Sequence, residues 1–176
     1  FEGPHRETPL HWAASINYVA AIDALLDVGA NIDVPGAVID GGTPLTNAVV
    51  FAQWDAAQRL VDRGAAIDVW HAAAMGDLGT VKTMFDAEGN LRRDSLRLPN
   101  TKDWDDRAFI DGAFWMACRR HLATAQYLWK RGADINAVLY TGETPLDVAS
   151  NAGETDIKTW LLGLGAKSST DLDAGS

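Results

Sequence analysis

A single cysteine, Cys118, stands in 176 residues. An intramolecular disulfide framework is therefore excluded, and the composition suits a reducing compartment, so a cytoplasmic location is expected. Every uncharged apolar stretch is far shorter than the roughly 20 residues that a membrane-crossing helix needs. No charged-then-apolar leader precedes Thr8, so no export signal is read, although a chain that begins at Phe1 leaves a removed leader open. Positive charge is scarce: 15 Lys and Arg stand against 24 Asp and Glu, a net charge of -9. Nucleic acid and anionic membranes call for basic surfaces, so neither is expected as a partner. The motifs that would announce an enzyme are also missing. There is no Gly-rich phosphate loop, no Cys-x-x-Cys, no His-Glu-x-x-His and no Gly-x-Ser-x-Gly. The four histidines are scattered at spacings unsuited to a metal site. No catalytic residue, metal or cofactor is assigned, and the balance leans away from an enzyme.

What is present is repetition. Thr-Pro-Leu occurs at 8–10, 43–45 and 144–146, each time followed at the same interval by a glycine, Gly29, Gly64 and Gly165. Self-similarity at a fixed period sets the architecture before any single residue is considered. The threonine suits a helix N-cap, and the proline after it sits at the first helical position, where its missing N–H does no harm. A short first helix rich in alanine follows: Ala13 and Ala14, Ala48, Ala72 and Ala73, Ala117 and Ala149. A second helix carries larger apolar residues at helical spacing, such as Val19, Ile22, Leu25 and Leu26. The glycine ends that helix where a left-handed cap is needed. With 47% hydrophobic residues the chain is expected to fold, each unit covering the apolar face of its neighbour.

The residues TPLHWAA at 8–14, GANID at 29–33, GAAID at 64–68 and GADIN at 132–136 carry a resemblance to the ankyrin repeat family. The run GTPLTNAV with WHAAAMG is similar to a subgroup associated with bacteria, which has no role to transfer. The resemblance implies an all-α solenoid of about five helix-turn-helix units with short β-turn loops. The array spans 1–167, with repeats near 8–33, 43–68, 69–86, 111–136 and 144–167, and the tail 168–176 is expected to be flexible. Repeat 5 reads as a terminal cap, since Thr155 and Lys158 replace apolar residues on its second helix.

The period breaks in the middle. Counting back from the helix-ending glycines and the second helices puts the equivalent threonine positions at 8, 43, 67, 111 and 144. Repeat 3 has lost its leading loop, so Asp68 runs almost directly into Trp70-His71-Ala72. The missing length reappears as an insert at 87–110, which holds Arg92, Arg93, Arg97, Lys102 and Arg107, a third of the positive charge. Read as a connector, the insert is solvated, its cations paired with acidic neighbours such as Asp94 and Asp103; read functionally, it is a specificity loop.

Family recognition generally uses the loop tips and the exposed side of the first helix. That pattern falls here on Ile16, Asp40, Val50, Phe51, Met75, Arg119 and Tyr140, a largely apolar strip expected to dock another protein. An alternative is a small-molecule binder or enzyme taking a small apolar ligand, with a pocket lined by Asn47, Trp70, His71 and Trp115. It rests on Asn47 and His71 occupying one inward position in consecutive repeats, where they are expected either to hydrogen-bond each other or to line a polar pocket. His11 and His121 read as bracing residues. Cys118 precedes Arg119 and Arg120, which would favour a thiolate, but no base accompanies it, and an unreactive packing role is expected.

Overall fold

The structure is a computed structural model and describes residues 6–37, 41–92, 105–139 and 141–174. Among these residues it holds eleven helices: α1 (Pro9–Ser15), α2 (Val19–Asp27), α3 (Pro44–Val50), α4 (Trp54–Asp62), α5 (Val69–Met75), α6 (Leu78–Thr83), α7 (Asp106–Ala117), α8 (Leu122–Lys130), α9 (Pro145–Asn151), α10 (Thr155–Gly163) and α11 (Ser169–Asp173). The class is all-α. The nearest thing to a strand among the described residues is an isolated antiparallel bridge between Phe85 and Leu91. No helix among them is long and apolar enough to cross a membrane. The described residues fall into two compact units, one ending at His71 and the other beginning at Ala72.

In the first unit α1 packs on α2 and α3, and α2 on α4. The small residues Ala13, Ala14, Ala48 and Val49 are buried where the first helices meet, and Ile22, Ala57 and Leu60 close the layer beneath them. Alanine at these positions lets two backbones approach closely without loss of side-chain entropy. Gly29 and Gly64 end α2 and α4 with φ of +87° and +94°, the left-handed turn that a Cβ would disfavour. The connection between paired helices needs the same backbone region: Asn17 (φ 57°) and Ala52 (φ 55°) supply it here.

The second unit is built on α7, α8, α9 and α10, with α6 against α8. Its core is heavier, with Phe114, Leu128, Ile157 and Leu161 fully buried. Beyond α6, Asp86 N–H donates to Asn90 O (2.9 Å) and Arg92 N–H donates to Met84 O (2.8 Å), closing a small hairpin. Phe85 meets the Tyr127 ring edge-on at 5.7 Å, and the Arg131 guanidinium lies over both rings at 5.5 and 5.0 Å.

Three local expectations are corrected. Asp111-Gly112-Ala113 does not open the first helix of repeat 4. That helix starts at Asp106, five residues earlier, because the Asp105 carboxylate caps it by accepting from Ala108 N–H (2.8 Å). Asp111 then sits inside α7, accepting from Arg107 (3.1 Å) and from Asp134 N–H (2.6 Å). The expected insert is correspondingly shorter: its first residues finish the hairpin, 106–110 are helical, and 93–104 lie outside the described residues, with Arg93, Arg97 and Lys102 among them. The tail is structured through Ala174 as α11. Ser168 caps α11, and Ser169 N–H donates to the Asp147 carboxylate at 2.8 Å.

Candidate functional site

At the end of α1, Ile16 is 69% exposed, and Phe51, its counterpart 35 residues on at the end of α3, is 45% exposed. Val50 beside it is half-buried. Each of these first helices ends within two turns, and its last residue has no following helical turn to cover it. In the second unit Met75 and Arg119 occupy the ends of α5 and α7, and both are half-buried. Asp40 and Tyr140 lie outside the described residues. The structure therefore brings Ile16, Val50 and Phe51 together on two packed helices of one unit and places Met75 and Arg119 in the other.

The residues expected to line a pocket are found packed. Asn47, Trp70, His71 and Trp115 are all buried. Asn47 and His71 do not bond each other. The Asn47 amide donates to Glu7 Oε1 (2.7 Å), while His71 Nε2 meets Thr46 Oγ1 (3.0 Å). The reason is a shift of one residue. Asp68, not Ile67, caps α5, its Oδ1 accepting from the N–H groups of Trp70 and His71 at 3.0 Å each. Measured from the cap, His71 is the third residue of its helix, equivalent to His11, Thr46 and Asp147, and Trp70 is equivalent to Leu10. The compensation comes at the helix end. The left-handed turn residue falls nine positions after Thr8, Thr43 and Thr144 but eight after Asp68, at Gly76. Trp115, in the second unit, donates from Nε1 to Glu143 O (3.1 Å).

What sequence reasoning missed is that His11, Thr46 and His71 make buried polar links at the helix starts of the first unit. Thr8 N–H donates to His11 Nδ1 (3.1 Å), and His11 Nε2 reaches Gly42 O (3.3 Å), just ahead of the next cap. Thr43 N–H donates to Thr46 Oγ1 (3.1 Å), which meets His71 Nε2, and His71 Nδ1 lies 2.8 Å from Asp68 Oδ1. Burial would raise the Asp68 carboxyl, but the His71 imidazole and the N–H groups of His71 and Trp70 outweigh it and hold the group below the usual carboxylate range. Burial lowers His11, against smaller opposing effects of Gly42 O and Glu7, so its imidazole is neutral at pH 7. The signal was present in the sequence: Asp68-Val69-Trp70-His71 spans the same four positions as Thr8-Pro9-Leu10-His11.

Thr46, His71 and Asp68 stand in the order of a hydroxyl–imidazole–carboxylate relay, an arrangement that activates nucleophiles elsewhere, but His71 Nδ1 approaches Asp68 Oδ1 without hydrogen-bond geometry. Here all three groups are fully buried, and the hydroxyl oxygen is occupied by the Thr43 N–H, so the relay reads as a helix-to-helix brace. Cys118 is also fully buried, and desolvation pushes its thiol far up, away from the thiolate form that Arg119 and Arg120 would favour. His121 donates from Nε2 to Ala74 O (3.0 Å), and its ring fills the space that a side chain at Gly76 would need. Among the described residues no group of three His, Cys, Asp or Glu side chains is placed to hold a metal ion.

Residues 5–37 match the ankyrin repeat family. The palmitoyltransferase ZDHHC13 of Mus musculus is 44% identical over 45 residues, which is 26% of this chain and 7% of that protein. The Homo sapiens protein of the same name is 42% identical over the same shares. The chain thus spans only a small part of the length of the curated relatives it matches. Among solved structures, the crystal structure of human ASB11 ankyrin repeat domain is similar at 23% identity, covering 92% of this chain and 71% of that one, with a TM-score of 0.46.

Proposed function

We propose that this ankyrin-repeat chain is a non-catalytic module that docks another protein along the exposed ends of its first helices and its leading loops. Ankyrin repeats are in general protein-interaction modules, and the finer assignment rests on one observation. Ile16 and Phe51 hold large apolar side chains open to solvent at the same position of consecutive repeats. Exposed apolar side chains repeated on adjoining helices are the kind of surface that marks interaction sites. Val50 flanks them; Met75 and Arg119 hold the same repeat positions in the sequence of the second unit, and Asp40 and Tyr140 are carried over from the leading loops read in the sequence. An acidic chain favours a partner with positive charge at its rim. The test is quantitative affinity capture from the source organism with the wild type and an Ile16→Glu/Phe51→Glu variant. One captured protein should fall about tenfold in the variant, the loss expected when an apolar anchor is replaced by a charge. Equal capture by both overturns the assignment.

A second reading, a small-molecule binder or enzyme drawing on Asn47, Trp70, His71 and Trp115, has the Thr46–His71–Asp68 relay as its support. It requires these groups to become accessible. Hydrogen exchange of the His71 and Trp70 amides at the global unfolding rate would end that reading; faster, local exchange would sustain it.

A further inference from the structure

The outer side of repeat 1 is apolar at the very positions where repeat 2 makes polar contacts to the repeat before it. In repeat 2, Asn47 donates to Glu7 (2.7 Å), Arg59 forms a two-pronged pair with Asp23 (2.7 and 2.9 Å), and Arg63 bonds Asp23 (2.6 Å) and Asp27 (2.7 Å). These three side chains define the face that looks toward the preceding unit. Thirty-five residues earlier, the same positions hold Trp12, Ala24 and Val28. Trp12 is 54% exposed, Val28 is 82% exposed, and Ala24 is exposed. The inner positions tell the same story: Ala56 and Leu60 are fully buried beneath repeat 1, while their counterparts Ala21 and Leu25 are only half-buried.

A repeat that ends an array keeps a polar outer face for solubility. Repeat 1 does the reverse, since its face is more apolar than the covered face of repeat 2. We infer that Trp12, Ala24, Leu25 and Val28 form a stacking surface for a further helix-turn-helix unit, preceding repeat 1 in the same polypeptide and seated as repeat 1 is seated on repeat 2. The chemistry of that unit follows from the substitutions. Where repeat 1 presents the carboxylates of Asp23 and Asp27 to arginines, the preceding unit faces Ala24 and Val28, so it presents apolar side chains there. At the position of Glu7 it offers a contact for an indole. This surface is distinct from the Ile16–Phe51 strip, and its test does not depend on that assignment.

Two measurements decide it. The first compares dye binding and sedimentation of the 176-residue chain with a Trp12→Asn/Ala24→Arg/Val28→Arg variant, which installs the side chains of repeat 2. The chain should bind a hydrophobic dye and associate without fixed stoichiometry, and the variant should lose most of both at an unchanged melting temperature. The second compares hydrogen exchange in the 176-residue chain with that in the polypeptide as its source organism makes it. The amides of α1 and α2 should exchange about tenfold or more slowly in the latter. Equal exchange rates overturn the inference, and they do so even if the variant fails to fold. A defined dimer abolished by the three substitutions also overturns it, assigning the surface to a second copy instead.

Discussion

Replacing Asp68 by alanine removes three interactions made by one buried carboxylate: bonds from Trp70 N–H and His71 N–H at 3.0 Å and the 2.8 Å contact with His71 Nδ1. Loss of a helix N-cap costs about 1 kcal/mol. Leaving an imidazole nitrogen buried without its anionic neighbour adds about 1–3 kcal/mol. The expected loss is therefore about 2–4 kcal/mol, or about 4–16 °C in melting temperature for a chain of this size. Asp68→Asn keeps an acceptor for the two N–H groups and should cost about half as much. Urea unfolding followed by circular dichroism measures both. The pH dependence gives a second readout. The folded carboxyl lies below its unfolded value of about 3.9, so the unfolded state binds more protons and stability rises with pH. Asp68 contributes fully above that value, and its contribution is lost as pH falls through the lower folded value. The acid limb of the stability curve should be shallower in both variants. A loss under about 1 kcal/mol, or an acid limb as steep as the wild type's, refutes the assigned network, since such a loss is typical of a surface position.

Three further outcomes are expected. Ala52 holds a φ of 55°, so Ala52→Gly should stabilise the chain by about 0.5–1 kcal/mol in thermal melts. Asn17→Gly, at the equivalent turn, should destabilise, because the Asn17 side chain accepts from Ala56 N–H (2.8 Å) and donates to Asp55 (3.1 Å). Burial lowers His11 below its unfolded value of about 6.5, so the unfolded state gains protons first as pH falls. Stability should drop between that value and the lower folded one, and His11→Gln, which keeps an acceptor at the third helical position, should lessen the drop. Cys118 should react with a thiol reagent about a hundredfold more slowly in the folded chain than in urea, as a buried, protonated thiol does; comparable rates would contradict its burial.

Much of the fold was legible because each helix carries its own punctuation. Thr8-Pro9 and Thr43-Pro44 start helices at the expected residues, and Gly29 and Gly64 end their partners in the left-handed region. The exposed ends Ile16 and Phe51 were legible for the same reason, since a fixed period carries one solvent-facing position from repeat to repeat. The register of repeat 3 was not. Asp68 closes the GAAID run and caps the next helix at once, and counting back from the second helix hides a missing residue inside the first. The start of α7 was obscured differently. Asp105 and Asp106 offer a cap without Thr-Pro, and a helix continues backward from its pattern wherever a cap exists to satisfy its first N–H groups. Ala52 shows a third kind of failure: alanine at a left-handed turn carries no signal, and only the period reveals it.

The buried links at the helix starts impose a rule of succession on the first unit. His11 reaches a backbone carbonyl, that of Gly42, which any residue would offer, so the selectivity of the first junction lies instead in Arg59 and Arg63 on Asp23 and Asp27. Thr46 is completed by an imidazole nitrogen, and that imidazole lies against Asp68, so repeat 2 is matched to a successor that begins with an acid and carries a histidine three residues later. The first junction is thus selected by charge at its edge, and the second by a buried link between helix starts.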